Sequence, residues 1–66
     1  MKIDKIKLEL KMAEAIMNPK EVSEKAGISY PAFRRAIRGG NSKFSTIGRI
    51  AKALGCNVTE IIETEG

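Results

Sequence analysis

Apolar residues recur at helical spacing from the start of the chain. Ile3, Ile6, Leu10, Ala13 and Met17 make one three-four row, and Leu8, Met12 and Ala15 or Ile16 make a second. So broad an apolar surface predicts a helix over residues 2–17 packed on several neighbours. Asn18-Pro19 ends it, because the residue before proline avoids the α region. The same pair starts the next helix: Asn accepts a backbone N–H at the N-cap, and Pro suits the first helical position, where a donor is not needed. Gly27 stops that helix by taking the left-handed conformation. Ser29 caps a third helix that tolerates Pro31 in its first turn and stops at Gly39.

Only Gly27-Ile28-Ser29 separates the second and third helices. Three residues are too few to lay them antiparallel, so they must cross steeply, as in a helix-turn-helix. In the third helix Phe33, Ala36 and Ile37 form an inward stripe. Tyr30, Arg34 and Arg38 lie on the opposite side, flanked by Pro31 and Arg35, so the outward face holds three arginines and no acid. A solvated surface is what most such faces are. Following a capped helix and a tight glycine turn, this one instead suggests a nucleic-acid contact, since Arg presents a planar fork of donors that fits guanine edges and phosphates.

After Gly39, Gly40-Asn41-Ser42-Lys43 reads as a polar loop. A fourth helix is predicted from Lys43 or Phe44 to Leu54, capped by Ser42 or Ser45, with Phe44, Ile47, Ile50, Ala51 and Leu54 inward. Gly48 inside it costs about 1 kcal/mol against Ala and is read as permitting close helix packing. Asn57 can cap a short last helix, Val58 to Ile62, whose Ile61 and Ile62 return to the core or to a partner. Thr64-Glu65-Gly66 should fray. The expectation is an all-α fold of five short helices in one domain over 1–66, with no repeat, low-complexity tract or linker.

Composition refines this. With 42% hydrophobic residues, 5% aromatic and no Trp, the core must be filled by Leu, Ile, Ala and Met, and a domain this small is not very stable. A net charge of +4 favours a polyanionic partner moderately. Its distribution says more: no Asp or Glu lies between Lys25 and Thr59, while Lys25, Arg34, Arg35, Arg38, Lys43, Arg49 and Lys52 do. The acids collect in the first two helices and near the end, at Glu60, Glu63 and Glu65, as a surface facing phosphates would require.

Cys56 is the single cysteine, so no internal disulfide forms, and its aliphatic setting reads as a small buried hydrophobe. With no His and one Cys a zinc site is excluded, no cofactor is expected, and a reducing cytoplasm is the expected compartment. No apolar run reaches membrane-spanning length, and no signal-like segment is seen. Lys2, Lys5, Lys7 and Lys11 would also suit a membrane-surface helix, but the rest of the chain needs this helix to close its core. A catalytic role fares poorly: His is absent, no Ser or Cys stands beside a base, and no GxxxxGK loop occurs. Glu21 and Glu24 fall on a solvated helix face.

Taken in order, VSEKAGIS, the arginine-rich helix with its closing Gly, and TIGRIAKALGCNVTEII resemble the phage Cro/repressor (Xre-type) helix-turn-helix family, whose fold is lambda-repressor-like. That pattern has a small residue in mid-helix, here Ser23, the turn at Gly27 and an aliphatic at Ile28. Ile50 to Gly55 matches the family's fourth helix and its C-cap. The likeness spans roughly Leu8 to Ile62.

The resemblance implies sequence-specific binding of double-stranded DNA by a small transcriptional regulator, with the helix Tyr30–Arg38 in the major groove. Base readers fall on Tyr30, Pro31 and Ala32, with Arg35 the strongest and Arg34 adjacent; many relatives carry Gln or Ser where this chain has Pro31 and Ala32. Phosphates are expected at Asn18 and Lys20, at the start of the second helix, and at Arg38, Asn41, Ser42 and Lys43 after the third. A homodimer on a two-fold operator would use Val58, Ile61 and Ile62. The alternative is a protein-interaction module, such as an antitoxin-like partner, exposing that same apolar patch. In well-known phage repressors an Arg on the first helix pairs with a Glu near the end of the recognition helix. Those positions fall here on Met12 and Ile37, both apolar, which predicts that the two touch in the core.

Overall fold

The carboxylate of Asp4 accepts from the Ile6 and Lys7 amides at 3.0 and 3.1 Å and so starts the first helix, α1 (Lys5–Ala15). The computed structural model describes residues 1–64. The other elements are α2 (Pro19–Ala26), α3 (Tyr30–Ile37), α4 (Phe44–Leu54) and a single 3-10 turn at Val58–Glu60. The fold is all-α, with four α-helices where five helices are expected; the fifth is the 3-10 turn. Of the fraying tail, Glu65 and Gly66 lie outside the described residues.

The first helix is shorter than residues 2–17 at both ends. Residues 2–4 are extended, and Ile3 forms an isolated antiparallel bridge with Ile62. The Asp4 amide donates to the Ile61 carbonyl at 2.8 Å and the Glu63 amide to the Lys2 carbonyl at 2.9 Å. These bonds pair the two chain ends and seat Ile3 and Ile61 in the core. At the other end α1 stops before Asn18-Pro19, because Ile16 adopts a left-handed conformation at φ 55°.

Leu8, Val22, Phe33, Ile47, Ile50 and Ile61 are fully buried, with Ala26, Ala36, Ala51 and Ala53 filling between them. α4 packs chiefly on α2. The buried Ser23 donates its hydroxyl to the Lys20 carbonyl at 2.7 Å, so a small polar residue sits between the helices without an unpaired group. Lys11 ties α1 to the 3-10 turn through Glu60 at 3.0 Å and also pairs with Glu14 at 3.2 Å.

Three inward assignments are corrected. Of α1's two apolar rows only the Leu8 row faces the core; Ile6 and Leu10 are 69% and 59% exposed. Leu8 occupies the one face that α1 can pack, and Ile6 and Leu10 lie across the helix from it. Phe44 is 75% exposed, because it opens α4 beyond the reach of any neighbouring helix. Gly48 is not a packing device: a Cβ placed there meets nothing within 4 Å. The α4 N-cap is Lys43, without a side-chain bond from Ser42 or Ser45. Cys56 is half-buried, and that burial pushes its thiol pKa up.

Candidate nucleic-acid interface

The turn that presents α3 is closed by backbone chemistry. Gly27 sits at φ 74°, its N–H shared between the Glu24 and Ser23 carbonyls, and the Ile28 amide returns to Ser23 at 3.1 Å. Ile28 is half-buried against the core. The Ser29 hydroxyl then accepts from the Ala32 amide at 3.1 Å, and Pro31 falls in the first turn. With Phe33 and Ala36 buried, Tyr30, Pro31, Arg34, Arg35 and Arg38 are left exposed, while Ala32 and Ile37 are half-buried.

Two of these side chains form a unit. Arg34 Nη1 donates to the Tyr30 hydroxyl at 3.0 Å, and its guanidinium lies 5.8 Å from the ring centroid. Part of the Arg34 fork is thereby directed along the helix. Arg35 makes no such bond. Together with Ala32 and Ala36 it lines one wall of an open groove whose other wall is Asn41, Ser42, Lys43 and Thr46. Two reader candidates, Ala32 and Arg35, and three phosphate candidates thus share a groove. Among the described residues the ion pairs are those of Lys11, so Arg34, Arg35, Arg38 and Lys43 carry uncompensated charge. The loop is fixed to the start of the chain: the Ser42 amide donates to the Met1 carbonyl at 3.0 Å, and the Asn41 side-chain carbonyl accepts from the Met1 amine at 3.3 Å.

Asn18 and Lys20 stand outside that groove. The Asn18 carbonyl oxygen accepts from the Glu21 amide at 2.8 Å, and the Glu21 carboxylate accepts from the Asn18 amide at 2.9 Å. This capping box uses the Asn18 oxygen and brings an acid to the start of α2, leaving the Asn18 NH2 and the exposed, unpaired Lys20 for an anion. The cations of the acid-free stretch also divide. Lys25, Arg49 and Lys52 line a second open groove between α2 and α4, apart from the outer face of α3.

The half-buried Thr46 also lines this groove and is absent from the residue pattern that led to the others; Phe44 is exposed in the first turn of α4 and does not line it. Thr46 had a signal, a hydroxyl in the first turn of α4. Phe44 had none, since its apolar character points to the core. The Val58–Ile61–Ile62 patch is corrected: Ile61 is fully buried in the core, and Val58 and Ile62 are half-buried against it.

The sequence model of the Cro/C1-type HTH DNA-binding domain family matches residues 7–66. No curated protein and no solved structure matches the chain.

Proposed function

Because the chain belongs to the family of Cro/C1-type helix-turn-helix DNA-binding domains, we propose that it is a small cytoplasmic transcriptional regulator that reads duplex DNA with α3 in the major groove. The observation that carries this is the groove pairing Arg35 with Asn41, Ser42 and Lys43, all without an acidic partner. A base-reading side chain and phosphate-holding side chains must sit side by side, because phosphate contacts set the register in which bases are read.

Arg35 is the principal reader: a bidentate contact to guanine O6 and N7 discriminates by about 1–3 kcal/mol. Tyr30, Pro31 and Ala32 offer apolar contact to a thymine methyl, and Arg34, steered by the Tyr30 hydroxyl, reads or clamps beside them. Arg38, Asn41, Ser42 and Lys43 hold one phosphate run, joined by the Thr46 hydroxyl. Asn18 and Lys20 hold another, more weakly, since Pro19 lacks a donor and Glu21 is adjacent. Two copies on a two-fold operator would double these contacts.

The test is the salt dependence of duplex binding. If about six phosphates are neutralised per pair of copies, log K falls with log salt at a slope near −0.9 per phosphate. A nearly flat dependence would refute duplex binding by this surface.

A further inference from the structure

We propose that the groove between α2 and α4 is a docking site for an acidic peptide segment of a partner protein, separate from the DNA-reading face. Lys25 stands on the α2 wall and Arg49 and Lys52 on the α4 wall, all three exposed. Between them the floor is Ala26, Gly48 and Ala53, with Ser45 at one end. The fold does not use these cations: among the described residues none of the three makes an ion pair. The acid best spaced to reach Lys25 is Glu21, one turn earlier, and its carboxylate accepts from the Asn18 amide at 2.9 Å instead. The groove shares no lining residue with the one that holds Arg35 and Lys43.

Gly48 supplies a second, independent reason. A glycine inside a helix costs stability against alanine, and no close packing requires this one, since a Cβ placed there meets nothing within 4 Å. Its position gives it a use, because a missing side chain keeps the floor low for an occupant. The floor also selects the kind of anion. Phosphate groups are hydrated on every side and gain nothing from Ala26, Gly48 and Ala53. The bases of a single strand stack on aromatic rings, and none lines the groove. An extended peptide suits both the floor and the rim, since its successive side chains point to opposite faces. One row lies on the small apolar floor while the carboxylates of the other meet the tips of Lys25, Arg49 and Lys52. From Ser45 to Lys52 the groove follows α4 for about 10 Å, room for about three extended residues.

Fluorescence anisotropy with a labelled six-residue Glu-Val repeat and the whole chain tests this. Binding should saturate below about 1 mM in dilute buffer and weaken with added salt, because exposed ion pairs are weak and screened. Gly48→Leu removes no charge; it should weaken the peptide about tenfold by filling the floor, and melt no lower than the wild type. Arg49→Glu should also weaken it about tenfold, whereas Lys43→Glu, an equal change of net charge outside the groove, should cost about twofold at most. A Glu-Gly repeat keeps the carboxylates without the apolar row and should bind about tenfold more weakly than Glu-Val. Absence of saturation, undiminished binding to Gly48→Leu, equal losses in Arg49→Glu and Lys43→Glu, or equal affinity for the two repeats would overturn the proposal. So would a Gly48→Leu variant that melts lower, which would show that the fold itself needs the glycine. Displacement of the peptide by duplex DNA would overturn it too, by assigning the groove to nucleic acid.

Discussion

Replacing Ile16 with glycine should stabilise the protein. Ile16 closes α1 at φ 55° and ψ 50°, its amide donating to the Ala13 carbonyl at 3.1 Å, and the next amide, of Met17, returns to Met12 at 3.0 Å. Gly27 and Gly55 close α2 and α4 in the same way, at φ 74° and 68°. One helix end therefore uses a β-branched residue where two others use glycine. The left-handed conformation costs an L-residue about 1–2 kcal/mol, with a β-branched side chain towards the upper end. Ile16 is 88% exposed, so removing its side chain forfeits little burial. Against that gain stands the extra unfolded-state freedom of glycine, about 0.5–1 kcal/mol.

The balance is about 1 kcal/mol of stabilisation, or roughly 4–8 °C in Tm for a domain of this size. Thermal melts followed by far-UV circular dichroism, with urea titrations beside them, read it directly. Ile16→Asn should gain less and Ile16→Ala little, since alanine keeps most of the left-handed penalty. Gly27→Ala should move the other way by about 1–2 kcal/mol, because φ 74° strains any L side chain there. If Ile16→Gly melted at or below the wild type while Gly27→Ala fell as expected, the strain assigned to Ile16 would be wrong.

Two further outcomes are expected. The Asn57 amide, first, and Lys11 hold the Glu60 carboxyl below its ordinary value of 4.5. The stabilisation from an acid so lowered is present above that value and lost as pH falls through the lower folded value, so Glu60→Gln should show a smaller loss of stability than the wild type between neutral pH and about pH 3. Met12 and Ile37 are both half-buried against the core; Ile37→Glu alone should cost several kcal/mol by stranding a charge there, and adding Met12→Arg should restore much of it. Additive denaturation energies in the double variant would rule out that coupling.

What the sequence discloses follows the range of the interactions involved. Asn18, Gly27, Ser29 and Gly55 are legible because a cap is settled by residues three or four apart, and the three-residue turn between α2 and α3 lies where those caps put it. The outward arginines of α3 follow from Phe33 and Ala36 by the same short-range geometry. The Ile3–Ile62 bridge is not legible, because its partners lie at opposite ends of the sequence and neither segment alternates strongly enough to announce a strand. Periodicity also finds both apolar rows of α1 without saying which one the fold can cover, so Ile6 and Leu10 are misplaced. Phe44 is misplaced because a helix's first residue can point past its neighbours. The grouping of Arg35 with Lys43 and Thr46 depends on how α3 and α4 cross, which local spacing does not encode.

If Arg35 reads a base while Lys43 holds a phosphate, selection from a pool of randomised duplexes separates the two roles. The wild type, Arg35→Ala and Lys43→Ala would each be taken through the same selection, and the affinities for the wild-type winner measured across a salt series. Lys43→Ala should select the wild-type sequence, bind every duplex more weakly by a similar factor, and flatten the salt slope by about 1. Arg35→Ala should lose a guanine preference at one base pair per half-site, worth about 1–3 kcal/mol, with the other positions intact. If Arg35→Ala instead selected the unaltered sequence and lost affinity uniformly, Arg35 would be a phosphate clamp, and this reading of α3 would be contradicted.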